Sequence, residues 1–204
     1  MSNTDNTELK IKETARKLFQ QKGFDGVRIR EIAEHAGINS ALLHYYFRSK
    51  ENLFYIIMNE SIHHFFSIIQ KTMNNRETSL IEKIEILVNG YIDITQENRN
   101  LALFVINELH SNPKRMFKAA GIPKELVINS HLFEQLQEQV EKKNLGISPF
   151  HFILNTISMS VMPNIASPFL NHVYPFTEGE LDNLLNERRK YIPQWMKMIL
   201  QIDN

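Results

Sequence analysis

The residues that could do chemistry concentrate between Gly37 and Phe54, in the stretch GINSALLHYYFRSKENLF. Ser40, His44, Tyr45 and Tyr46 can hydrogen-bond bases or phosphates, while Ala41 and Leu42 can touch thymine methyl groups. Arg28, Arg30, Arg48 and Lys50 bracket the stretch with positive charge, which suits a phosphate backbone. Catalytic chemistry finds less support. Of the eight histidines, His63 and His64 are adjacent and point different ways on a helix, and Glu108 and His110, two apart, diverge likewise. There is no H-E-x-x-H, no glycine-rich phosphate loop and no G-x-S-x-G. Cysteine is absent, which removes disulfides, thiol catalysis and cysteine-ligated zinc. No catalytic residue, metal or cofactor is therefore expected.

These residues must be positioned by something, and the periodicity is helical throughout. Ile11, Ala15, Leu18 and Phe19 share one face of a first helix, stopped by Gly23. Ile29, Ile32, Ala33 and Ala36 form a second, ending at Gly37. Asn39 or Ser40 can cap a third, with Leu43 and Phe47 turned inward, and Ser49 can cap a long fourth. Three short helices with a glycine-containing turn make a helix-turn-helix unit, whose third helix needs one buried stripe and leaves its other faces free for a major groove.

Farther on, Ser79 to Glu82 is a capping box that opens a fifth helix, and Leu101–His110 is a sixth, ended by Asn112-Pro113. A seventh is expected from Pro123 to Lys143, an eighth from Ser148-Pro149, and a ninth from a capping box at Thr177–Glu180 to about Leu200. Pro163 and Pro193 should kink or interrupt the last two. The fold class is all-α, with about nine helices.

Bulk properties agree with a globular chain. The 204 residues are 43% hydrophobic and 23% charged, enough to bury a core. Net charge is zero, and residues 1–52 hold nine Lys/Arg against seven Asp/Glu, too small a surplus to decide anything. The polar start and the lack of an eighteen-residue apolar run lead us to expect a cytoplasmic protein without membrane contact.

The span from Ile11 to Phe54, with ARKLFQQKGF, IREIAEHAGI and LLHYYFRSKENLF, resembles the DNA-binding domain of the tetracycline-repressor (TetR) family. The resemblance implies a helix-turn-helix domain over residues 1–52 and a helical ligand-binding and dimerisation domain over 53–204. It implies that Arg28 and Arg30 reach DNA, that Asn39, Ser40, Ala41, Leu42, His44 and Tyr45 face the groove, and that Tyr46 and Lys50 hold phosphates. It further implies a homodimer through the last two helices, a double-stranded operator and a small-molecule effector. Two departures stand out: Val27 and Arg28 replace the usual threonine or serine cap of the second helix, and His44 replaces the usual tyrosine.

Candidate effector contacts combine large apolar faces with a few polar groups: His63, Phe66, Tyr91, Phe104, Asn107, Glu108, Phe133, Asn155 and Met159. The apolar content leans toward a hydrophobic or aromatic effector. The expected function is a ligand-responsive transcriptional repressor. The rival reading is a helical enzyme or protein-binding adaptor that keeps the fold without binding an operator.

Overall fold

The computed structural model describes residues 3–97, 99–123 and 125–203, and among them it holds eleven helices and no strand. They are α1 (Asn3–Lys22), α2 (Ile29–His35), α3 (Ser40–Phe47), α4 (Lys50–Asn74), α5 (Leu80–Glu97), α6 (Arg99–Ser111), α7 (Pro113–Ala120), α8 (His131–Lys142), α9 (Pro149–Ile165), α10 (Ser167–Val173) and α11 (Glu180–Ile199).

The all-α expectation holds, with two more helices than the nine expected. One of them begins at a proline expected only to end a helix, and the other at a proline with no expectation attached. Asn112 accepts the Arg115 N–H at 3.1 Å, so Asn112-Pro113 caps a new helix as well as closing the old one. α10 starts at Ser167-Pro168 directly after α9, with Ala166 at its cap position and no side-chain capping bond. The expected seventh helix is shorter than its pattern, because Ser130 caps it by accepting the Phe133 N–H at 3.2 Å. Pro163 and Pro193 lie inside α9 and α11, and neither interrupts its helix.

The two capping boxes differ. Ser79 N donates to Glu82 at 2.7 Å and Glu82 N donates to the Ser79 hydroxyl at 3.3 Å, the full reciprocal pair. At Thr177 both the backbone N–H and the hydroxyl donate to the Glu180 carboxylate at 3.0 Å, and Gly179 occupies the cap position at φ +77°. That end is half a box.

The chain divides into two compact units. The first comprises Met1–Phe66 and Asn100–Lys124. Its core takes Ile11, Ala15 and Phe19 from α1, Ile32 and Ala33 from α2, Leu43 and Phe47 from α3, Leu53, Phe54 and Ile57 from α4, and Phe104 from α6. Phe54 packs edge-on against Phe19, Phe24 and Phe104, with ring centroids 5.4, 4.9 and 5.7 Å away.

Phe24, in the α1–α2 turn, is bonded from several directions. Its N–H donates to Glu108 Oε1 at 3.1 Å, and its carbonyl accepts from Lys50 Nζ at 3.0 Å. The Lys50 ammonium lies 4.1 Å and the Arg115 guanidinium 4.0 Å from its ring centroid. Glu108 is 3% exposed, and its other oxygen accepts from Arg115 Nε and Nη2 at 3.2 and 2.8 Å. Residues of α6 and α7 thus lock the turn that leads into the helix-turn-helix.

In the second unit, Ser67–Arg99 with Glu125–Asn204, α5 packs on α9 and α11, and α8 packs on α9. Arg189 fastens α11 to α5 through Asp93 at 2.7 Å and Gln96 at 3.1 Å. The apolar stripe of α11 divides. Leu181, Leu185, Ile192 and Met196 are buried, whereas Leu184, Tyr191, Trp195 and Met198 are exposed.

Two stability outcomes follow from these contacts. Glu108→Ala leaves the Arg115 charge with only the longer Asp25 contact at 3.6 Å and should lower unfolding free energy by about 3 kcal/mol in urea titration, with partial recovery on adding Arg115→Met. The Ser79 hydroxyl and backbone N–H, both directed at the Glu82 carboxyl, hold it below the usual carboxylate range. A depressed folded value means that its stabilisation is complete at neutral pH and is lost as pH falls through that lowered value. Glu82→Gln should flatten the acid limb of a plot of melting temperature against pH.

Candidate nucleic-acid interface

Helices of seven and eight residues are too short to persist alone, so α2 and α3 depend on what pins them. Gly37 supplies the left-handed turn residue between them at φ +64°, and Asn39 caps α3 by accepting the Leu42 N–H at 2.8 Å. Ser49 accepts the Asn52 N–H at 3.1 Å at the start of α4. Leu43 and Phe47 are 0% and 1% exposed. This single buried stripe fixes the rotation of α3 about its axis.

The remaining faces of α3 then turn outward. Asn39, Ala41 and His44 are exposed, Tyr45 is 78% exposed, and Ser40, Leu42 and Tyr46 are half-buried. The Tyr45 and Tyr46 rings meet edge-on at 5.5 Å. His44 Nδ1 lies 2.9 Å from the Arg48 carbonyl oxygen.

The cations fall into two groups. Arg28 and Arg48 are exposed, and neither side chain has an ion pair or hydrogen bond among the described residues. Arg28 stands at the cap position of α2 without a capping bond, while Val27 before it is 1% exposed and serves the core. Arg48 closes α3 at φ +64°, ψ −46°, a backbone conformation that favours glycine.

Arg30 and Lys50 have partners. Arg30 Nε donates to Glu34 at 2.9 Å in an exposed i,i+4 pair worth only tenths of a kcal/mol by the usual scale, about 0.3–0.5. Lys50 donates to the carbonyls of Phe24 and Val27, both at 3.0 Å, which leaves one of its three N–H donors. Glu31 pairs with Lys22 rather than with Arg28, and that hydrogen bond draws the Glu31 carboxyl below the usual range.

The effector candidates are divided between the units. In the first, His63 and Asn107 are exposed, Phe66 is half-buried, Phe104 belongs to the aromatic core, and Glu108 is committed to Phe24 and Arg115. In the second, Tyr91 is half-buried and desolvation pushes its phenol up to about 12. Phe133 packs on Phe150 at 5.2 Å, Asn155 is exposed, and the Met159 carbonyl accepts from Arg188 at 3.0 Å. A cleft of about 640 Å³ in this unit is lined by Ser79, Glu82, Gln135, Glu138 and Lys142, none of them a candidate. The sequence reading also missed Phe24 and Arg115, which meet at Glu108, 84 residues after the one and seven before the other.

The match to the family model "Bacterial regulatory proteins, tetR family" covers residues 11–55, which take in α2, α3 and the start of α4. Over 170 residues the chain is 31% identical to the probable HTH-type transcriptional regulator YttP of Bacillus subtilis, covering 82% of this chain and 81% of that one. It is 29% identical over 142 residues to IcaR, the negative transcriptional regulator of the biofilm operon icaADBC in Staphylococcus aureus, covering 70% and 68%. The fold is shared with FadR of Bacillus subtilis, solved in complex with stearoyl-CoA (TM-score 0.59, 15% identity, 91% of this chain and 97% of that one). It is also shared with PfmR of Thermus thermophilus (TM-score 0.58, 18% identity, 95% and 99%). With its helix-turn-helix geometry and these relatives, the chain belongs to the TetR family of transcriptional regulators.

Proposed function

We propose that the protein is a ligand-responsive repressor that binds a palindromic operator as a homodimer and is released by a small, largely apolar effector. The observation that carries the DNA-binding part is the division of α3. Leu43 and Phe47 are buried, and Asn39, Ala41, His44 and Tyr45 are left outward beside the unpaired Arg28 and Arg48. Arg30 exchanges Glu34 for a phosphate at little cost, since the pair is exposed. Tyr46 and the remaining Lys50 donor reach the phosphates next to α4. The IcaR relative, a negative regulator by name, supports repression over activation.

The dimer rests on apolar surface. Leu154 and Met162 of α9 and Leu184, Tyr191, Trp195 and Met198 of α11 are between 37% and 75% exposed, on two helices that pack together. Monomers seldom leave large apolar patches in water. Two copies joined there present two recognition helices, which read half-sites about one helical turn, roughly 34–36 Å, or a multiple of it apart. The 1–52 segment carries the base and phosphate contacts, and the rest of the chain carries dimerisation and effector binding.

The stearoyl-CoA in the FadR neighbour supports an apolar effector, held either within the first unit by Phe66 with His63 and Asn107, or within the second by Tyr91, Phe133 and Met159 with Asn155. Phe104 and Glu108 take a different part: through Phe54 and Phe24 they pass an effector's influence to the α1–α2 turn. Release of operator requires differential binding; moving a 1:99 population to 99:1 takes about 5.5 kcal/mol.

Selection from random duplex DNA with purified protein should return a two-fold-symmetric consensus, and recovery of no consensus would refute operator binding. Arg28→Ala should weaken binding to every duplex alike and lower the salt slope by about one unit, measured by fluorescence anisotropy against salt. Trp195→Glu should shift the protein toward monomer in sedimentation equilibrium and weaken operator binding with it.

A further inference from the structure

His44 is bonded at one ring nitrogen only. Its Nδ1 lies 2.9 Å from the backbone oxygen of Arg48, one turn farther along α3. A carbonyl oxygen has no proton to give, so Nδ1 carries the hydrogen and donates it. In the neutral imidazole Nε2 is then bare, and it can only accept. The same bond anchors the ring, as a second partner does for a metal-ligating histidine. His44 is exposed, and the neighbouring Leu43 and Phe47 bury the other side of the helix. Ser40 and Ala41 stand one turn back on the same outward side.

A bare acceptor discriminates sharply among the groups of a duplex. Phosphate oxygens are acceptors, so the neutral ring cannot hydrogen-bond them. Guanine N7 and O6 and thymine O4 are acceptors also, and only adenine N6 and cytosine N4 present donors in the major groove. The hydroxyls of Ser40 and Tyr45 can donate or accept and impose no such restriction. Building on the DNA-binding reading above, we propose that His44 is a specificity-determining residue. Through Nε2 it reads the exocyclic amino group of one adenine or cytosine on the strand it faces, once per half-site.

The test compares the wild type with His44→Ala by random-duplex selection at about pH 8, above the ordinary imidazole range. One base pair per half-site should be specified in the wild type and unrestricted in the variant. The other positions and the salt slope should be unchanged. In the selected duplex, replacing that pair's adenine by purine, or its cytosine by 2-pyrimidinone, removes only the amino group. Wild-type affinity should then fall about five- to tenfold, within the range of a mismatched base pair, and the variant should be indifferent. No relaxed position in the variant, or no penalty for the missing amino group at the adenine or cytosine of the relaxed pair, overturns the assignment while leaving DNA binding intact. A wild type that selects no consensus refutes both. Nitrogen-15 NMR of the free protein gives a separate check, because a proton found on Nε2 rather than Nδ1 overturns the assignment without any DNA.

Discussion

The recognition helix depends on the way Phe24 is held. Its N–H is fixed by a buried carboxylate, its carbonyl by an ammonium, and its ring lies among two cations and two core phenylalanines. The turn it belongs to runs into α2, which begins without a side-chain cap. Lys50 completes the arrangement by holding the Val27 carbonyl as well, so the start of α4 is tied to the start of α2. Helices this short have no stability of their own to spare. The angle at which α3 is displayed is therefore a tertiary property, set by Phe24 and its neighbours rather than by helix propensity.

This arrangement draws α6 and α7 into the packing unit of the first three helices. Glu108 and Arg115 carry opposite charges into a largely dry site, where each needs the other. Asp25, 3.6 Å from Arg115, adds a second carboxylate at the rim. Any change that moves α6 must either carry the turn along or leave a charge unpaired. That gives a segment far along the chain leverage over the position of Phe24.

What was legible in the sequence were features that act over a few residues. The spacing of Leu43 and Phe47, the Asn39 cap, the glycine turn and the Ser79 box are each decided within one or two helical turns, and each is found in the structure. α7 escaped because a proline can end one helix or begin another, and the Asn112 cap decides for the second; α10 follows α9 through Ala166 with no side-chain cap to signal it. The role of Glu108 was illegible for a different reason. Its partners sit 84 positions earlier and seven later, and a glutamate among apolar residues looks the same whether it faces an effector or an arginine. The last helix was legible from its capping box, but not the division of its apolar residues between an inner and an outer half.

Arg48 holds a backbone conformation in which glycine would sit with less strain, of order 1–3 kcal/mol for such residues, and yet it keeps a long charged side chain in open solvent. Two demands therefore meet at one residue and conflict. A thermostability screen that looked only at melting temperature would favour glycine there and, in doing so, would strip a cation from the edge of the reading helix. Sequence optimisation for robustness alone would change this position, and the arginine keeps its charge there at a cost in backbone strain.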